Sequence, residues 1–321
     1  MPDQKAPPAV IHGSDFTREE FVTLARLARR AIRASEPTRR ALQDLRINII
    51  PATFYSEIPT LAELDASFEF KFAEGPYNSP KIFDRPTMDA FLAEIGEYAE
   101  EFDAPADGDT TNPTEFFWRN PAFSYSDAMS YYCVLRALKP NHVLEVGSGF
   151  STLVALRALE KNGRGKLSCI EPFPKPWLTA LGERLTLHVS PVQSFEPDFF
   201  NAQLAAGDVF FIDSTHTVKA GSDCLHLYLR ILPEIVSDVT VHVHDIRLPF
   251  PLEKSQVFDR HEYWTEQYLL YAYLLENPRT KVLFGSRYYF NLDRPLLDKF
   301  MHGRWRSGGG SFWFSQSGTG A

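Results

Sequence analysis

His142–Thr152 reads HVLEVGSGFST, and this stretch decides the fold. Val143, Leu144 and Val146 are spaced as a short buried strand. Gly147, Ser148 and Gly149 follow where the chain must turn sharply, just before a helical pattern that opens near Phe150. Glycine lets the backbone turn without a Cβ and lets a ligand come close to the main chain. The free N–H groups of the next helix's first turn add donors and the positive end of a dipole. The stretch therefore reads as a crevice for a nucleotide-type ligand or as a bare strand-to-helix turn, and its surroundings decide between the two.

Downstream, the helix from Phe150 to about Glu160 and the turn KNGRGK lead into LSCIEP, a second strand ending in Glu171, 22 positions after Gly149. A carboxylate at the end of a neighbouring parallel strand can accept both hydrogen bonds of a ribose diol. FPKPWLTALGER, LTLHVS and SFEPDFFNAQLA read as helix, strand and helix. DVFFIDSTH then gives a fourth strand. Its apolar run Val209 to Ile212 lacks alternation, as expected when both faces are covered, and Asp213 and His216 fall just past its end. A long helix, roughly Lys219 to Ile235, carries the chain to VTVHVHDIRLPFP, where His244 and Asp245 end a fifth strand. Open α/β sheets bind ligands outside the carboxyl ends of their strands, so Gly147, Glu171, Asp213 and Asp245 are expected on one rim. A helix from about Tyr263 to Glu276, a strand KVLFG, a polar helical piece and GGGSFWFSQ complete the pattern. The alternation in the last makes it a strand at the sheet edge.

Upstream, residues 1 to 14 read as a loose leader, and Asp15 to Leu45 as helical, with Thr17 as a cap and a break at Pro37. Residues 46 to 80 are rich in aromatics and proline, which suits either an irregular wrap over the core or a lid over a site. Helical character returns over 86 to 104, and PADGDTTNPTE is a loop. Ser126 and Asp127 open a helix whose apolar positions, from Met129 to Leu138, recur at helical spacing before Pro140 stops it. The expected division is a mostly helical segment over 1–120 and an α/β domain over 121–321.

The chain of 321 residues is 44% apolar, enough for one full α/β domain with a substantial extra segment. Its net charge is −8 with scattered basic residues, which disfavours a general nucleic-acid partner. Cys133, Cys169 and Cys224 are far apart in apolar or helical contexts and read as buried thiols, fitting a reducing compartment. No apolar run approaches the roughly 18–20 residues needed to span a bilayer, and the start lacks a signal-peptide pattern, so a soluble cytoplasmic protein without membrane contact is expected. A homo-oligomer is left open.

Hydrophobic-hydrophobic-Glu-hydrophobic-Gly-x-Gly, with acids ending the second and fourth strands, resembles the class I S-adenosylmethionine-dependent methyltransferases. NPAFSYSDAMSYY, VLEVGSGFST, FIDSTH, HVHDIRLP and YWTEQYLL are similar to a bacterial, small-molecule-type branch of uncharacterised methyltransferases. The resemblance implies a Rossmann-like sheet of seven strands, six parallel and the last, SFWF, antiparallel. Thr152 stands where a dinucleotide fingerprint has its third Gly or Ala, which ranks S-adenosylmethionine above NAD. By this resemblance Glu145, Gly147, Gly149 and Asp213 surround the cofactor and Glu171 holds its ribose. Ser194 or a neighbour lies by the adenine, and Asp127 either touches the cofactor's amino group or caps its helix.

Methyl transfer to a hydroxyl needs alignment of the acceptor and removal of its proton. His216 and His244 are the candidate bases, since an unshifted imidazole titrates near neutrality, and Asp213 joins them as a candidate catalytic group. Adjacent strand tips are about 4.8 Å apart, so Asp213 and Asp245 could share Mg²⁺ or another divalent cation. Asp213-x-x-His216 with Asp245 resembles metal-assisted sugar O-methyltransferases. His244 stands where those enzymes carry an acid, so the metal stays open. Phe54, Tyr55 and Trp264 are candidates for an apolar wall around a small-molecule acceptor. The expected activity is O-methylation, the alternatives being N-methylation and a non-catalytic S-adenosylmethionine-binding partner protein.

Overall fold

A computed structural model describes residues 16–319, and the leader expected over residues 1–14 lies outside them. The chain divides into two compact units, 1–67 and 68–321. In the first, Thr17 accepts the Glu20 N–H while Glu20 reaches back to the Thr17 N–H, a capping box that starts the helix Arg18–Ile32. Pro37 does not break a longer helix. It occupies the first turn of a second one, Glu36–Asp44, where the missing N–H costs nothing. Thr60 and Glu63 form another capping box at Leu61–Ala66, and the rest of 46–60 has no regular structure.

The second unit is built on seven strands: β1 His142–Val146, β2 Lys166–Ile170, β3 Thr186–His188, β4 Asp208–Ile212, β5 Val239–Val243, β6 Thr280–Gly285 and β7 Phe312–Gln316. Their order is β3-β2-β1-β4-β5-β7-β6. β1 to β5 pair in parallel, whereas β7 runs antiparallel to both β5 and β6. Six strands thus share one direction and the last opposes them, as the resemblance implied. β7 is not at the edge, however, because it is inserted between β5 and β6. Phe312, Trp313 and Phe314 are all buried, as an interior strand covered on both faces requires.

Helices cover the sheet. Tyr125–Leu138 is buried from Ser126 through Leu135, so its apolar spacing reflects burial on most sides and not a single stripe. Phe150–Asn162 packs beside it. The segment before residue 121 joins this core: Met88, Leu92 and Ile95 of the helix Arg85–Gly96 are buried, and Phe102 stacks on Tyr132 at 4.3 Å. Each such side chain contributes about 1.5–3 kcal/mol of burial. The expected regular helix over 219–235 is instead a broken run. Ser222 caps a short α-turn at Asp223–His226, a π-turn spans Leu227–Ile231, and a 3₁₀ turn at Leu232–Glu234 contains Pro233. Proline has no N–H to continue the ladder, so the run ends there. Cys133, Cys169 and Cys224 are buried free thiols, and among the described residues no helix is long and apolar enough to cross a membrane.

Candidate active site

One row of sheet register fixes the site. Ile170, Val146, Ile212 and Val243 are partners across β2, β1, β4 and β5, so Glu171, Gly147, Asp213 and His244 leave the sheet side by side. Ladder bonds continue into the rim: the N–H of Gly147 donates to Ile170 O (3.0 Å), that of Asp213 to Val146 O (2.8 Å) and that of His244 to Ile212 O (2.9 Å). These backbone positions are therefore as fixed as the strands that carry them.

On one side of the rim, Gly147, Glu171 and Asp213 line a crevice of about 580 Å³, with Phe173, Val189 and Gln193 on its walls. Gly147 has φ 78°, and a Cβ there would overlap the Asp213 carbonyl oxygen, so its own chain demands a glycine. A Cβ on Gly149 would meet nothing within 4 Å. Glu171 accepts the N–H of Ser148 at 3.2 Å and of Phe173 at 2.7 Å, which orients its carboxylate in the crevice with acceptor capacity to spare. These features fit a nucleoside ligand: an oriented acid for a diol, apolar walls for a base, and main chain free of side chains.

Three expected cofactor residues stand elsewhere. Glu145 is fully buried and off the crevice wall, because its side chain points into the core under the glycine turn. It accepts from Thr152 (2.6 Å) and Tyr131 (2.9 Å), and the same Thr152 hydroxyl accepts the Gly149 N–H at 3.1 Å. Burial pushes its carboxyl up to about 7, against the lowering effect of those bonds. Glu145 thus braces the turn from beneath. Ser194 is exposed and does not line the crevice, which its neighbours Val192 and Gln193 do. Asp127 neither caps its helix nor reaches the crevice. Its carboxylate accepts from Ser286 Oγ (2.8 Å) and from the N–H groups of Gly310 (2.9 Å) and Ser311 (2.7 Å), and it faces His244 Nε2 at 3.3 Å.

The expected histidines and strand-tip acids do come together. Asp213 Oδ1 is 3.3 Å from His216 Nε2 and from His244 Nδ1, and Asp245 Oδ2 lies 3.8 and 3.7 Å from the same two nitrogens. His216 (φ 59°) and Asp245 (φ 54°) both hold the left-handed backbone region, uncommon for residues with a Cβ although Asp and His enter it more readily than most. His216 is fixed there by Glu266, a buried acid that nothing in the sequence marks out. Glu266 Oε2 bonds His216 Nδ1 at 2.8 Å, its N–H donates to His216 O, and Ser214 and Tyr228 donate to its carboxylate. Trp264 lies against the His216 ring with centroids 4.7 Å apart, so it walls the imidazole. Phe54 and Tyr55 belong to the first unit, where both are exposed and meet edge to face.

Electrostatics change the roles expected of these groups. Burial alone would lower His216, but Asp213 and Glu266 push it up to about 10. Burial likewise opposes charge on His244, yet Asp245, Asp213 and Asp127 hold it well above its usual value. Burial would raise Asp213, but the two imidazoles keep it well below the carboxylate range. Neither histidine is the unshifted base that the sequence suggests; the acids around them favour the protonated form of both. Among the described residues no group of three or more His, Cys, Asp or Glu is arranged to hold a metal ion. Asp213 and Asp245 instead face the two imidazoles at 3.3–3.8 Å, so in this arrangement the strand-tip carboxylates are engaged with histidine.

A second cavity of about 440 Å³ is lined by His244, Asp245, Arg247, Arg287, Tyr125 and Phe290 among others. Arg247 falls two residues past Asp245 within HVHDIRLP and Arg287 lies just past β6, but neither is among the residues expected at the site from the sequence. Asp213 lines the first cavity and His244 the second, and the two side chains touch.

A doubly wound sheet with a reversed seventh strand, a glycine turn after β1 and an acid after β2 defines the class I methyltransferase fold. Residues 144–246 match the model of a family described as a methyltransferase domain. An uncharacterised protein of Archaeoglobus fulgidus is 29% identical over 157 residues, 47% of this chain and 71% of the relative. Among solved structures, the O-methyltransferase TomG from Streptomyces achromogenes, involved in tomaymycin synthesis and bound to S-adenosylmethionine, is similar at 15% identity. The match covers 78% of this chain and 99% of TomG with a TM-score of 0.40. An O-methyltransferase from Bacillus cereus in complex with S-adenosylhomocysteine is similar at 14% identity over 71% of this chain and 91% of that one, with a TM-score of 0.35.

Proposed function

We propose that this chain transfers a methyl group from S-adenosylmethionine to a hydroxyl of a small molecule. The donor takes the crevice beside Glu171, and the acceptor takes the cavity beside Asp245. The observation that carries this reading is that Asp213 lines one cavity and His244 the other, with the two side chains in contact at 3.3 Å. Glu171 would accept the ribose hydroxyls, Phe173 and Val189 would flank the base, and Ser190 and Gln193 supply polar groups at its edge.

S-adenosylmethionine supplies an already electrophilic methyl, so the protein's work is alignment and proton removal. As the carbon–oxygen bond forms and the carbon–sulfur bond breaks, the hydroxyl proton passes to a carboxylate, and Asp245 lines the acceptor cavity for that purpose. The imidazolium ions of His216 and His244 favour the oxyanion that develops beside them. This preference supports oxygen over nitrogen, because an amine becomes more positive on methylation and gains nothing from neighbouring cations. The reaction proposed needs no divalent ion, so turnover is expected to be unchanged after dialysis against chelator. A rate that disappears with chelator and returns with Mg²⁺ would overturn that part.

Glu171→Ala should weaken S-adenosylhomocysteine at least about tenfold, the loss of charge-assisted hydrogen bonds to a diol. An unchanged dissociation constant in calorimetry removes the ribose assignment. Cofactor binding by the wild type with no turnover across a broad panel of hydroxylated acceptors would favour the non-catalytic reading.

A further inference from the structure

The acceptor cavity carries two guanidinium groups that the chemistry of methyl transfer does not use. Arg247 is 9% exposed, and its Nε and Nη1 are buried without a hydrogen-bond partner, as is Nε of Arg287. Their acids only partly serve them. Arg247 Nη2 reaches Asp245 Oδ1 at a long 3.3 Å, and Glu253 Oε1 meets Arg287 Nη2 at 2.8 Å but Arg247 Nε only at 3.9 Å. Asp245 also faces the two imidazoles, and Glu253 is 42% exposed, so neither acid is dedicated to this pair. Leaving charged donors buried and unpaired is costly, and such groups mark a missing partner.

The same side chains are built to stay where they are. Arg287 lies over the Phe290 ring at 5.5 Å, with Arg294 also over that ring at 4.6 Å. The Arg247 backbone N–H is tied to Gln267 at 3.0 Å, and its Nη1 occupies the space where Gly310 lacks a Cβ. Burial and the nearness of Arg247 both make the charge on Arg287 harder to keep, a cost that an anion between them would relieve.

We infer that the cavity lined by Arg247 and Arg287 binds an anionic group, a carboxylate or phosphate, on the acceptor molecule, holding its hydroxyl toward Asp245. The planar guanidinium fork matches either anion in two-point contact, and Tyr125 and Phe290 offer aromatic surface to the body of the molecule. The inference rests on the methyl-transfer reading above for the word acceptor, while the anion site itself can be tested without it.

The test uses the full chain and titrates benzoate, inorganic phosphate and the neutral benzamide, each with and without S-adenosylhomocysteine. Benzoate or phosphate should bind at least tenfold more tightly than benzamide, the stronger of the two identifying the source of the charge. Arg287→Met should lose that preference and keep its affinity for S-adenosylhomocysteine, and Arg247→Lys, which keeps the charge but not the fork, should weaken the anion as well. Equal binding of benzamide and benzoate, or anion affinity untouched in both variants, overturns the inference. Anion binding without S-adenosylhomocysteine binding would sustain the pocket and sink the methyl-transfer reading. The reverse would spare that reading and remove the pocket.

Discussion

Asp213→Asn should cut turnover at least about 100-fold, the scale on which positioned acid–base groups act. Asp213 is the acid that both imidazoles share at 3.3 Å, and it also walls the donor crevice. The amide keeps the shape and removes the charge, so His216 and His244 lose the nearer of their two shared counter-ions, and on the proposed reading the pair is held less firmly beside the acceptor. Stability should fall by about 2–3 kcal/mol, less than the 3–5 typical of a broken buried pair, because the Asp213 side chain retains 32% exposure. The pH profile gives a second readout. His216, raised to about 10, contributes stability fully below its unfolded value near 6.5 and loses it as pH rises through 10. Asp213, held low, contributes above its unfolded value and loses it as pH falls through the lowered one. From these two groups, wild-type melting temperature should therefore be level between about pH 5 and 6, decline as pH rises above about 6.5, and decline again as pH falls below about 4. In the variant the acid limb from this site should disappear, and the alkaline limb should move to lower pH because the imidazolium keeps Glu266 at 2.8 Å and the more distant Asp245 but loses Asp213. A variant with the wild-type rate and the wild-type pH profile would leave Asp213 with no role in either.

The strand-end residues are legible in the sequence because parallel strands between helices put every βα turn on one rim, and locating that rim needs only the apolar runs and the residues just past them. Gly147, Glu171, Asp213 and Asp245 are all legible this way, and His216 with them. What periodicity cannot report is strand order. SFWF looks like an edge because its alternation suggests one wet face, yet three consecutive buried aromatics are the mark of an interior strand, and that signal is present in the sequence. Glu266 is hidden for another reason: within YWTEQYLL it reads as a first-turn acid stabilised by the helix dipole. Only the contact between the loop after β4 and that helix turns it into the partner of His216. The charge state of the histidines is likewise beyond reach, since a pKa near 10 depends on which acids fold against the ring and not on the residues beside it.

Asp127→Ala is expected to cost about 3–5 kcal/mol, the penalty for stripping a buried ion pair of one member, and to lower the melting temperature by roughly 10 °C. The carboxylate is 4% exposed and is the single acceptor on which Ser286, Gly310, Ser311 and His244 converge. It therefore ties the helix Tyr125–Leu138 to the entry of β7 and to the tip of β5 at once. Gly309 is shaped to this role, because a Cβ there would overlap the carboxylate. Burial would raise the acid, but His244 and the Gly310 and Ser311 N–H groups hold it below its usual value, so it is the ionised form that the fold uses. Asp127→Asn is the discriminating variant: it can still accept one backbone bond, but its NH₂ must face a donor and His244 loses a counter-charge. An intermediate loss of stability with S-adenosylhomocysteine affinity nearly intact is expected, because the acid lies outside the donor crevice. The opposite result, a wild-type melting temperature with cofactor affinity lost, would return Asp127 to the cofactor's amino group, where the sequence resemblance offers to place it.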